Sequence, residues 1–480
     1  MAKLSSLDAS FLRVETPTAH MHVGWLSLLD LPAGAPELDA ESVAARIAAR
    51  LHLAPRFRQR LAVAPLALGT VRWEDDPAFD VSDHVTAAPG PCPGQAQLRR
   101  LADDFLSEQL PRDRPLWSLL VVPSVGGRRA ALLGKVHHAL VDGLAAVELG
   151  MLLFDLAPDA ASPEPADWQP SPGMGSVRLA LDSVADSALE QFRAARAVAS
   201  LGLSPGRGLR VADSVRRAAM SVAEDALRPA PSSYLNVPIG PRRTLVRHRV
   251  ALSRLLRIKT RTGATLNDVL LTVTGGALRR LAVASSEAPC DLRVMVPVSV
   301  RSAEQAREGG NRITFAFVDL PVTERDPARA LARIRAQTTE LKTSGRVAGS
   351  DLLLRSLGAL PEPLQTSAAR LAASPRLYNL TISNVPGPRV PLYVGGARVR
   401  STYPVIPIPD RHALAVGILT YDDAAHFAAY ADPVALPAAS RLPMMLADSI
   451  EELAIGAGVR HEHARPARRP AAYIRGPRAS

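Results

Sequence analysis

The sequence is organised around one stretch, Lys135-Val136-His137-His138-Ala139-Leu140-Val141-Asp142-Gly143. The apolar run before it, residues 129–134, predicts a buried strand, and apolar residues recur at helical spacing from 144 to 156. We therefore expect His138 at a strand end, with Asp142 four residues on and Gly143 opening the next helix. A neutral imidazole at that position can accept a proton from a hydroxyl or a thiol.

Other interpretations of this stretch remain open at the level of sequence. Neighbouring histidines and an aspartate can simply terminate a strand. They can also bind a divalent metal ion, but adjacent histidines face opposite ways on a strand and no further ligand cluster is evident, so we expect no metal. The pattern GxSxG occurs once, at Gly202-Leu203-Ser204-Pro205-Gly206, between the two predicted helices of the linker rather than at the strand-to-helix turn of a nucleophile elbow. Neither Cys92 nor Cys290 stands in a catalytic signature. Both observations argue against a covalent intermediate.

The stretch resembles the HHxxxDG signature of CoA-dependent acyltransferases, and more narrowly the bacterial wax ester synthase/diacylglycerol acyltransferase family. Further segments resemble that family in the same order along the chain. They are residues 7–11, 15–17 and 21–24, then Pro115-Leu116-Trp117, and then residues 266–270, 296–301, 310–312 and 383–388. Each segment is a weak signal alone, but together they cover most of the chain.

The resemblance implies an α/β fold of two chloramphenicol-acetyltransferase-like domains, each a mixed sheet flanked by helices, with His138 in a tunnel between them. It implies that His138 is the catalytic base, because His138 aligns with the histidine of the broader HxxxDG pattern. His137 then supports the site or positions substrate. Asp142 is structural and pairs with a basic side chain, and Gly143 lets the backbone turn tightly beside the ligand.

The implied reaction is transfer of an acyl group from acyl-CoA, as co-substrate, to diacylglycerol or a long-chain alcohol, with no bound cofactor. Two alternatives share the fold. Amide-forming condensation domains carry the same HHxxxDG signature, although this chain has no carrier-protein module. A non-catalytic lipid-binding homologue is the second, and the intact His138 and Asp142 count against it.

Four polar residues outside the central stretch are candidates for stabilising the oxyanion or holding the acceptor. They are Asn267, Asp268, Ser383 and Asn384. Each has a structural alternative, which is capping of a helix for Asn267 and Asp268 and turn formation for Ser383 and Asn384. No phosphate-binding loop of the GxxxxGK[ST] type is present.

Length and composition predict several units. With 480 residues the chain is expected to form two domains, residues 1–157 and 235–460, joined by a Pro-rich linker with two amphipathic helices over 158–234. Residues 461–480 form a basic tail that we expect to be disordered. Helices are predicted from Ser42 to Leu51 and from Gln95 to Leu110, another at Asn267-Asp268 and another at Asp326-Pro327.

The formal net charge of +11 favours contact with anionic lipid or phosphorylated ligands, or reflects compositional bias alone. No zinc knuckle or basic-aromatic platform points to nucleic acid. Two distant cysteines fit a reducing compartment, and the sequence shows no signal-peptide core and no apolar stretch long enough to span a bilayer. We therefore expect a cytoplasmic protein that associates peripherally with the inner membrane or with lipid inclusions.

Overall fold

A computed structural model describes residues 2–34, 36–63, 71–140, 150–161, 163–164, 166–173, 228–299, 313–343 and 362–459, together with residues 175, 178 and 182. Several predictions fall outside these residues. They are Asp142 and Gly143, the two amphipathic helices of the linker, the segment at 310–312 and the basic tail.

The strands of the described part are β1 (Ala2–Lys3), β2 (His22–Asp30), β3 (Gln59–Ala62), β4 (Arg72–Asp75), β5 (Val85–Ala87), β6 (Trp117–Val122), β7 (Arg129–His137), β8 (Thr244–Ala251), β9 (Leu292–Ser299), β10 (Ile313–Leu320), β11 (Leu380–Pro386), β12 (Tyr393–Val394), β13 (Ala397–Val405), β14 (Leu414–Tyr421) and β15 (Ala424–Ala431). Its helices are α1 (Ser6–Val14), α2 (Ala40–Arg50), α3 (Gln95–Ser107), α4 (Leu252–Thr262), α5 (Leu266–Ala284), α6 (Pro327–Thr343), α7 (Glu362–Ala372) and α8 (Leu442–Gly456).

The first large sheet carries the central stretch. Its six strands lie in the order β12-β13-β2-β7-β6-β5, and β7 pairs antiparallel with both β2 and β6. The predicted buried strand is thus confirmed, and it extends to His137. Helix α3 covers one face of the sheet, because the apolar side of the helix, with Leu98 and Phe105, packs in the same core cluster as Leu133 of β7.

The second large sheet belongs to the C-terminal half, with strand order β10-β9-β11-β14-β15-β8. Strand β11 is parallel to both neighbours, β9 and β14, and the other pairs are antiparallel. Helix α5 is buried along most of its length and packs with α6 and α8. Each half is therefore a mixed sheet with helices, as the sequence predicts. A small sheet, β1-β4-β3, completes the described strands.

The two halves are interlocked by strand exchange. Residues 393–405 leave the second half, form β12 and β13, and join the first sheet, where β13 pairs with β2 from Arg398↔Asp30 to Val405↔Gly24. Strand β13 also contacts β14 and β15 of the second sheet. The division into residues 1–157 and 235–460 stays a prediction, and this hairpin crosses it.

Several local predictions are confirmed by the described elements. Both predicted helices form, and each buries apolar residues, Val43 and Ile47 in α2 and Leu98, Leu101, Phe105 and Leu106 in α3. Helix α6 begins at Pro327 after Asp326, whose carboxylate accepts the Ala328 N–H at 2.9 Å. Trp117, which belongs to one of the segments that resemble the family, lies in the core, and its ring N–H donates to the Phe57 carbonyl at 2.8 Å.

Two local details concern β10 and the β14–β15 hairpin. The phenylalanines of β10 lie on its less buried face, because Ala316, Val318 and Leu320 fill the core instead. In the β14–β15 hairpin, Asp422 has a left-handed backbone, with φ of +51°. Arg398 donates to the Asp422 carboxylate at 2.8 Å, which ties this turn to β13.

Among the described residues, no helix combines the length and the apolarity that crossing a membrane requires.

Candidate active site

The histidine pair lies at the end of β7, in the middle of the first sheet. His137 is the last residue of the strand and pairs with His22 of β2. The chain then turns, and the His138 N–H donates to the Met21 carbonyl at 2.7 Å, so the strand end is tied to the start of β2. This turn directs the two neighbouring imidazoles into different surroundings.

His138 lies against an aromatic surface. Its ring stacks on Phe11 of α1, with centroids 3.8 Å apart and planes 12° from parallel. The Nδ1 atom is buried and has no hydrogen-bond partner of normal geometry in the described part. Burial lowers the pKa of His138 to about 4, the residue's own backbone opposes this shift, and the nearby His137 adds to it. His138 is therefore a neutral imidazole at pH 7.

His137 lies in polar surroundings. Its Nδ1 atom accepts the Ala139 N–H at 3.0 Å, so the ring proton of the neutral form must be on Nε2. That Nε2 atom is 3.6 Å from Oε1 of Glu15, and both side chains are almost completely buried. The backbone of the following turn and the Glu15 carboxylate thus fix both the orientation and the tautomer of His137.

Glu15 is the centre of this buried polar cluster. Its Oε1 atom is also 3.7 Å from Nε2 of His22, and its other oxygen pairs with Arg112. Burial by itself would raise the pKa of Glu15, but the facing His137 and hydrogen bonds from Arg112 and Gln109 hold the pKa well below its ordinary value. Glu15 is therefore a carboxylate at neutral pH.

His20 and His22 extend the cluster along the start of β2. Their rings are 5.5 Å apart, and the His22 ring meets that of His137 edge-on at 5.9 Å. The Leu110 N–H points at Nε2 of His22 at 3.4 Å, and Nε2 of His20 lies 2.9 Å from the Pro17 carbonyl. Burial lowers the pKa of both rings, that of His22 strongly.

Helix α1 contacts both histidines of the central stretch. Phe11 lies within the helix and stacks on His138, whereas Glu15 caps its C-terminus, with its N–H donating to the Phe11 carbonyl. Helix α1 also packs against α7 of the second half. The site is therefore held where the two halves meet, although these residues are more than a hundred positions apart in sequence.

The four polar candidates of the second half separate into three kinds of position. The first kind is a pair of side chains in contact, Asn267 in the first turn of α5 and Asn384 on β11. The side-chain amide of Asn384 donates to the side-chain Oδ1 of Asn267 at 3.4 Å. The Oδ1 atom of Asn384 is buried without a partner among the described residues. An acceptor atom in that state is available to a ligand hydroxyl or amide.

Asp268 and Ser383 are placed differently. The Asp268 carboxylate is used by the fold, because one oxygen accepts the Thr265 N–H at 2.8 Å and the other accepts the Thr338 hydroxyl at 2.7 Å. Thr265 is the residue that caps α5, and Asp268 completes the capping box. Ser383 is buried opposite Gly417 and lies on the other face of β11 from Asn384.

Sequence reasoning missed Phe11, Glu15, His20 and His22 as parts of the site, although Phe11, Glu15 and His22 stand in segments that carried the family resemblance. A buried carboxylate beside a histidine is a long-range contact with no short motif. Within the described ranges, no group of three or more His, Cys, Asp or Glu side chains is arranged to hold a metal ion.

Comparisons with known proteins extend over both halves. A family model described as the wax ester synthase/diacylglycerol acyltransferase catalytic domain matches residues 4–270, and one for the C-terminal domain of that family matches residues 309–454. Two probable diacylglycerol O-acyltransferases of Mycobacterium tuberculosis are each 32% identical to this chain. The alignments cover 94% of it in both cases, and 96% and 98% of the relatives.

Solved structures show the same fold. The wax ester synthase/diacylglycerol acyltransferase from Marinobacter aquaeolei aligns over 95% of this chain and 100% of its own, with a TM-score of 0.68 and 24% identity. The first condensation domain of the CDA synthetase aligns over 95% and 97%, with a TM-score of 0.54 and 17% identity. The expected acyltransferase fold is confirmed. With both halves matched in order, the chain belongs to the wax ester synthase/diacylglycerol acyltransferase family.

Proposed function

We propose that the protein is an acyl-CoA:diacylglycerol O-acyltransferase that makes triacylglycerol, and that it also forms wax esters from long-chain alcohols. Acyltransferase activity follows from membership of the family, whose models match both halves of the chain. The mycobacterial relatives carry the diacylglycerol acyltransferase name. The observation that carries the proposal for this chain is His138, a buried and neutral imidazole at the end of β7.

In the proposed reaction the acceptor hydroxyl attacks the thioester directly. The hydroxyl proton passes to His138 as the oxygen forms a bond to the carbonyl carbon. The tetrahedral intermediate then expels the CoA thiolate, which takes the proton back from the imidazolium and leaves as free thiol, while the ester remains. A positioned histidine typically accelerates such a proton transfer by ~10²–10⁴-fold.

The accepting atom is Nε2 of His138. In the proposed mechanism the proton of the neutral ring is on Nδ1, which is buried and has no hydrogen-bond partner among the described residues. A neutral ring protonated on Nδ1 has its lone pair on Nε2. Stacking on Phe11 fixes the ring plane, so that the lone pair keeps one direction during the reaction.

His137 and Glu15 hold the site in shape. His137 takes no proton from substrate in this mechanism, because its Nδ1 is engaged by the Ala139 N–H and its Nε2 faces Glu15. Asp142 and Gly143 keep the roles that the family resemblance implies, Asp142 bracing the loop after the histidines and Gly143 allowing its tight turn.

The Asn267–Asn384 pair is proposed to position the acceptor and the oxyanion. Because Asn267 accepts from Asn384 through Oδ1, its own amide group remains a donor, suited to negative charge on the thioester oxygen. The buried Oδ1 of Asn384 is an acceptor that can hold the hydroxyl as the acceptor binds, before the hydroxyl proton turns to His138. Ser383 remains a candidate from the opposite face of β11, and Asp268 is left to the helix cap.

One assay separates this function from its alternatives. Purified protein is incubated with one long-chain acyl-CoA and, separately, with diacylglycerol, a fatty alcohol and a primary amine, and the products are resolved by chromatography. We expect ester products from the first two acceptors. Amide as the main product would instead support condensation chemistry, and binding of lipid without turnover would support a lipid-binding homologue.

No metal or other cofactor takes part in the proposed step, since the base is a side chain and the leaving group is a thiolate. Activity should therefore survive dialysis against a chelator. Loss of activity that a single divalent ion restores would contradict this part of the proposal.

Both acceptors are almost insoluble in water, so we propose that the protein binds reversibly to anionic membrane or lipid-inclusion surfaces from the cytoplasmic side. The net charge of +11 supports this, since each Lys or Arg near an anionic bilayer contributes about 1 kcal/mol and salt screens it. Flotation with anionic and neutral vesicles at low and high salt is the test. Equal recovery with both, unchanged by salt, would exclude charge as the anchor.

A further inference from the structure

A basic cavity lies at the junction of the two halves. It has a volume of about 520 Å³ and lies between α3, β8, β13 and the start of α8. Its lining residues are Leu28, Gln95, Ala96, Arg99, Arg100, Leu245, Val246, Arg247, Tyr403, Ser440 and Pro443. This volume falls within the range typical of small-molecule sites. We call it the α3 pocket.

The charged side chains that line the α3 pocket are all positive. Its ionisable lining residues are three arginines, Arg99, Arg100 and Arg247, besides the phenol of Tyr403, and no carboxylate lines it. Among the described residues, the nearest acidic partner is Asp103, whose carboxylate is 4.0 Å from Arg99. That carboxylate already accepts the Thr244 hydroxyl at 2.9 Å and the Leu245 N–H at 2.8 Å. Most of the arginine charge is therefore available to an anion.

The arginines are held in place by neutral groups. Arg247 donates to the Gln95 side chain at 3.1 Å and lies over the Tyr403 ring, 5.3 Å from its centroid. Arg100 donates to the Gln97 side chain at 2.9 Å and 2.6 Å. An Arg guanidinium with free N–H groups is well suited to phosphate oxygens. Leu28, Val246 and Pro443 add apolar surface beside them, which suits the face of a purine ring.

The position of the α3 pocket relative to the histidines is the second observation. Leu28 lines the pocket and His22, paired with His137, lies six residues earlier on the same face of β2. At a rise of ~3.3 Å per residue, the pocket is about 20 Å from the histidine end of the strand. An extended pantetheine arm, which separates the thioester from the phosphates of CoA, is of comparable length.

We infer that the α3 pocket binds the 3′-phosphorylated adenosine diphosphate portion of acyl-CoA through Arg99, Arg100 and Arg247. The inference rests on the proposed acyltransferase function and goes beyond it, since it assigns a place and residues to the nucleotide end of the co-substrate. The phosphates pair with the guanidinium groups and the adenine packs on the apolar lining. The distance of about 20 Å to the histidine end of β2 is one that the pantetheine arm can span.

The test compares two thioesters of the same acyl group, acyl-CoA and acyl-N-acetylcysteamine, which lacks the nucleotide. The variant replaces Arg99 and Arg100 by glutamine, which keeps helix propensity close to that of arginine. A matched control replaces Arg329 and Arg333 of α6 by glutamine. These two arginines lie on the surface, so the control removes the same amount of charge at another place. Arg247→Gln serves as a separate variant from β8.

Losing charge-assisted hydrogen bonds of about 1.4 kcal/mol or more should raise KM for acyl-CoA about tenfold in the Arg99/Arg100 variant. The kcat should stay close to that of the unchanged protein, as should kcat/KM for acyl-N-acetylcysteamine. The α6 control should behave like the unchanged protein with both thioesters. Isothermal titration with adenosine 3′,5′-bisphosphate should show binding that the variant loses.

Other results would overturn the inference. An equal rise in KM for both thioesters, or the same rise in the α6 control, would show that the pocket does not bind the nucleotide. The pocket would instead bind a lipid headgroup if anionic phospholipid vesicles inhibit the unchanged protein and adenosine 3′,5′-bisphosphate does not. In that case the Arg99/Arg100 variant should no longer be inhibited by the vesicles. Failure of the proposed function can be distinguished from failure of this inference. If the proposed function is wrong, the unchanged protein consumes neither thioester, and the titration with adenosine 3′,5′-bisphosphate still tests binding at the pocket.

Discussion

His137 and His138 are neighbours in sequence, yet they occupy opposite environments. His137 faces a buried carboxylate, Glu15, and its Nδ1 is used by the backbone, whereas His138 stacks on Phe11 with an unpartnered Nδ1. On the polar side, the lone pair of the neutral His137 ring is used by the Ala139 N–H, and Nε2 faces Glu15 at 3.6 Å, so the ring has no lone pair left for a substrate proton. The aromatic side keeps a ring neutral and able to accept a proton. We infer from this difference that one motif at a strand end supplies both a brace and a base.

The comparison predicts its largest effect at the base. His138→Ala should reduce kcat about 10²- to 10⁴-fold, because no other atom in the pair is free to take the proton. His137→Ala should lower kcat far less, since it removes only a brace. Initial rates with one acyl-CoA and diacylglycerol measure both, and thermal unfolding confirms that each variant folds. Equal losses in the two variants would remove the distinction between base and brace.

The next effect is expected at Glu15. Glu15→Ala should lower kcat about tenfold, equivalent to about 1.4 kcal/mol in the barrier, by releasing His137 and the end of α1. Glu15→Gln should restore part of the rate because it keeps the shape and an acceptor oxygen. Glu74, which pairs with Arg60 at 3.0 Å away from the histidines, is a matched control. A fall in melting temperature with unchanged kcat would reduce Glu15 to a purely structural residue.

The same residue predicts a pH dependence of stability. The pKa of Glu15 is lowered in the folded protein, so its stabilising contribution is complete above the ordinary carboxyl value of about 4.5. The contribution is lost as pH falls below that value. Between about pH 5 and about pH 3, the melting temperature of the unchanged protein should therefore fall more steeply than that of Glu15→Gln. Parallel curves would mean that the carboxylate gains nothing from its partners.

A smaller effect is expected at the asparagine pair. Asn384→Ala should lower kcat/KM for the acceptor about fivefold, the cost of one hydrogen bond of about 1 kcal/mol. Titrating diacylglycerol at saturating acyl-CoA measures it. Ser383→Ala, one residue away on the opposite face of β11, is the matched comparison and should change less. A larger effect at Ser383 would place the acceptor on the other face of the strand.

The smallest effect on rate is expected at Asp268. Because its carboxylate bonds Thr265 and Thr338, Asp268→Ala should cost about 1–3 kcal/mol of stability. The kcat measured well below the melting temperature should stay unchanged. Urea denaturation gives the free energy of unfolding, and initial rates on the same preparation give kcat. A variant that is stable but inactive would show that Asp268 takes part in the reaction.

Sequence patterns predicted local structure and missed long-range pairing. The apolar run before His137, the helix start near Asn267-Asp268 and the helix start at Asp326-Pro327 are local signals, and the structure confirms them. The residue that caps α5 is Thr265, with Asp268 completing the capping box, and Asn267 does not cap the helix. The exchange of β12 and β13 into the first sheet could not be predicted, because alternation identifies a strand without naming its partner. Likewise, β10 has alternating phenylalanines, yet its core face carries Ala316, Val318 and Leu320.

The site shows the same limit. His138 was identified from a short motif and its family resemblance, and the structure shows a buried ring that stacks on Phe11 and whose pKa burial lowers to about 4. Glu15 and His22 stand more than a hundred residues away from His137, and only the pairing of β2 with β7 and the end of α1 bring them to it. Contacts of this kind depend on the topology, which residue spacing does not encode.

The state of His138 can be measured directly. In protein labelled with ¹⁵N-histidine, the ring resonances that disappear in His138→Asn are followed from pH 8 to pH 4. We predict that His138 stays neutral to well below pH 6, with a pKa of about 4 and its proton on Nδ1. The acid limb of kcat/KM should follow the same titration. A His138 pKa at or above the ordinary 6.5, or a proton on Nε2, would contradict the assignment of His138 as a neutral base acting through Nε2.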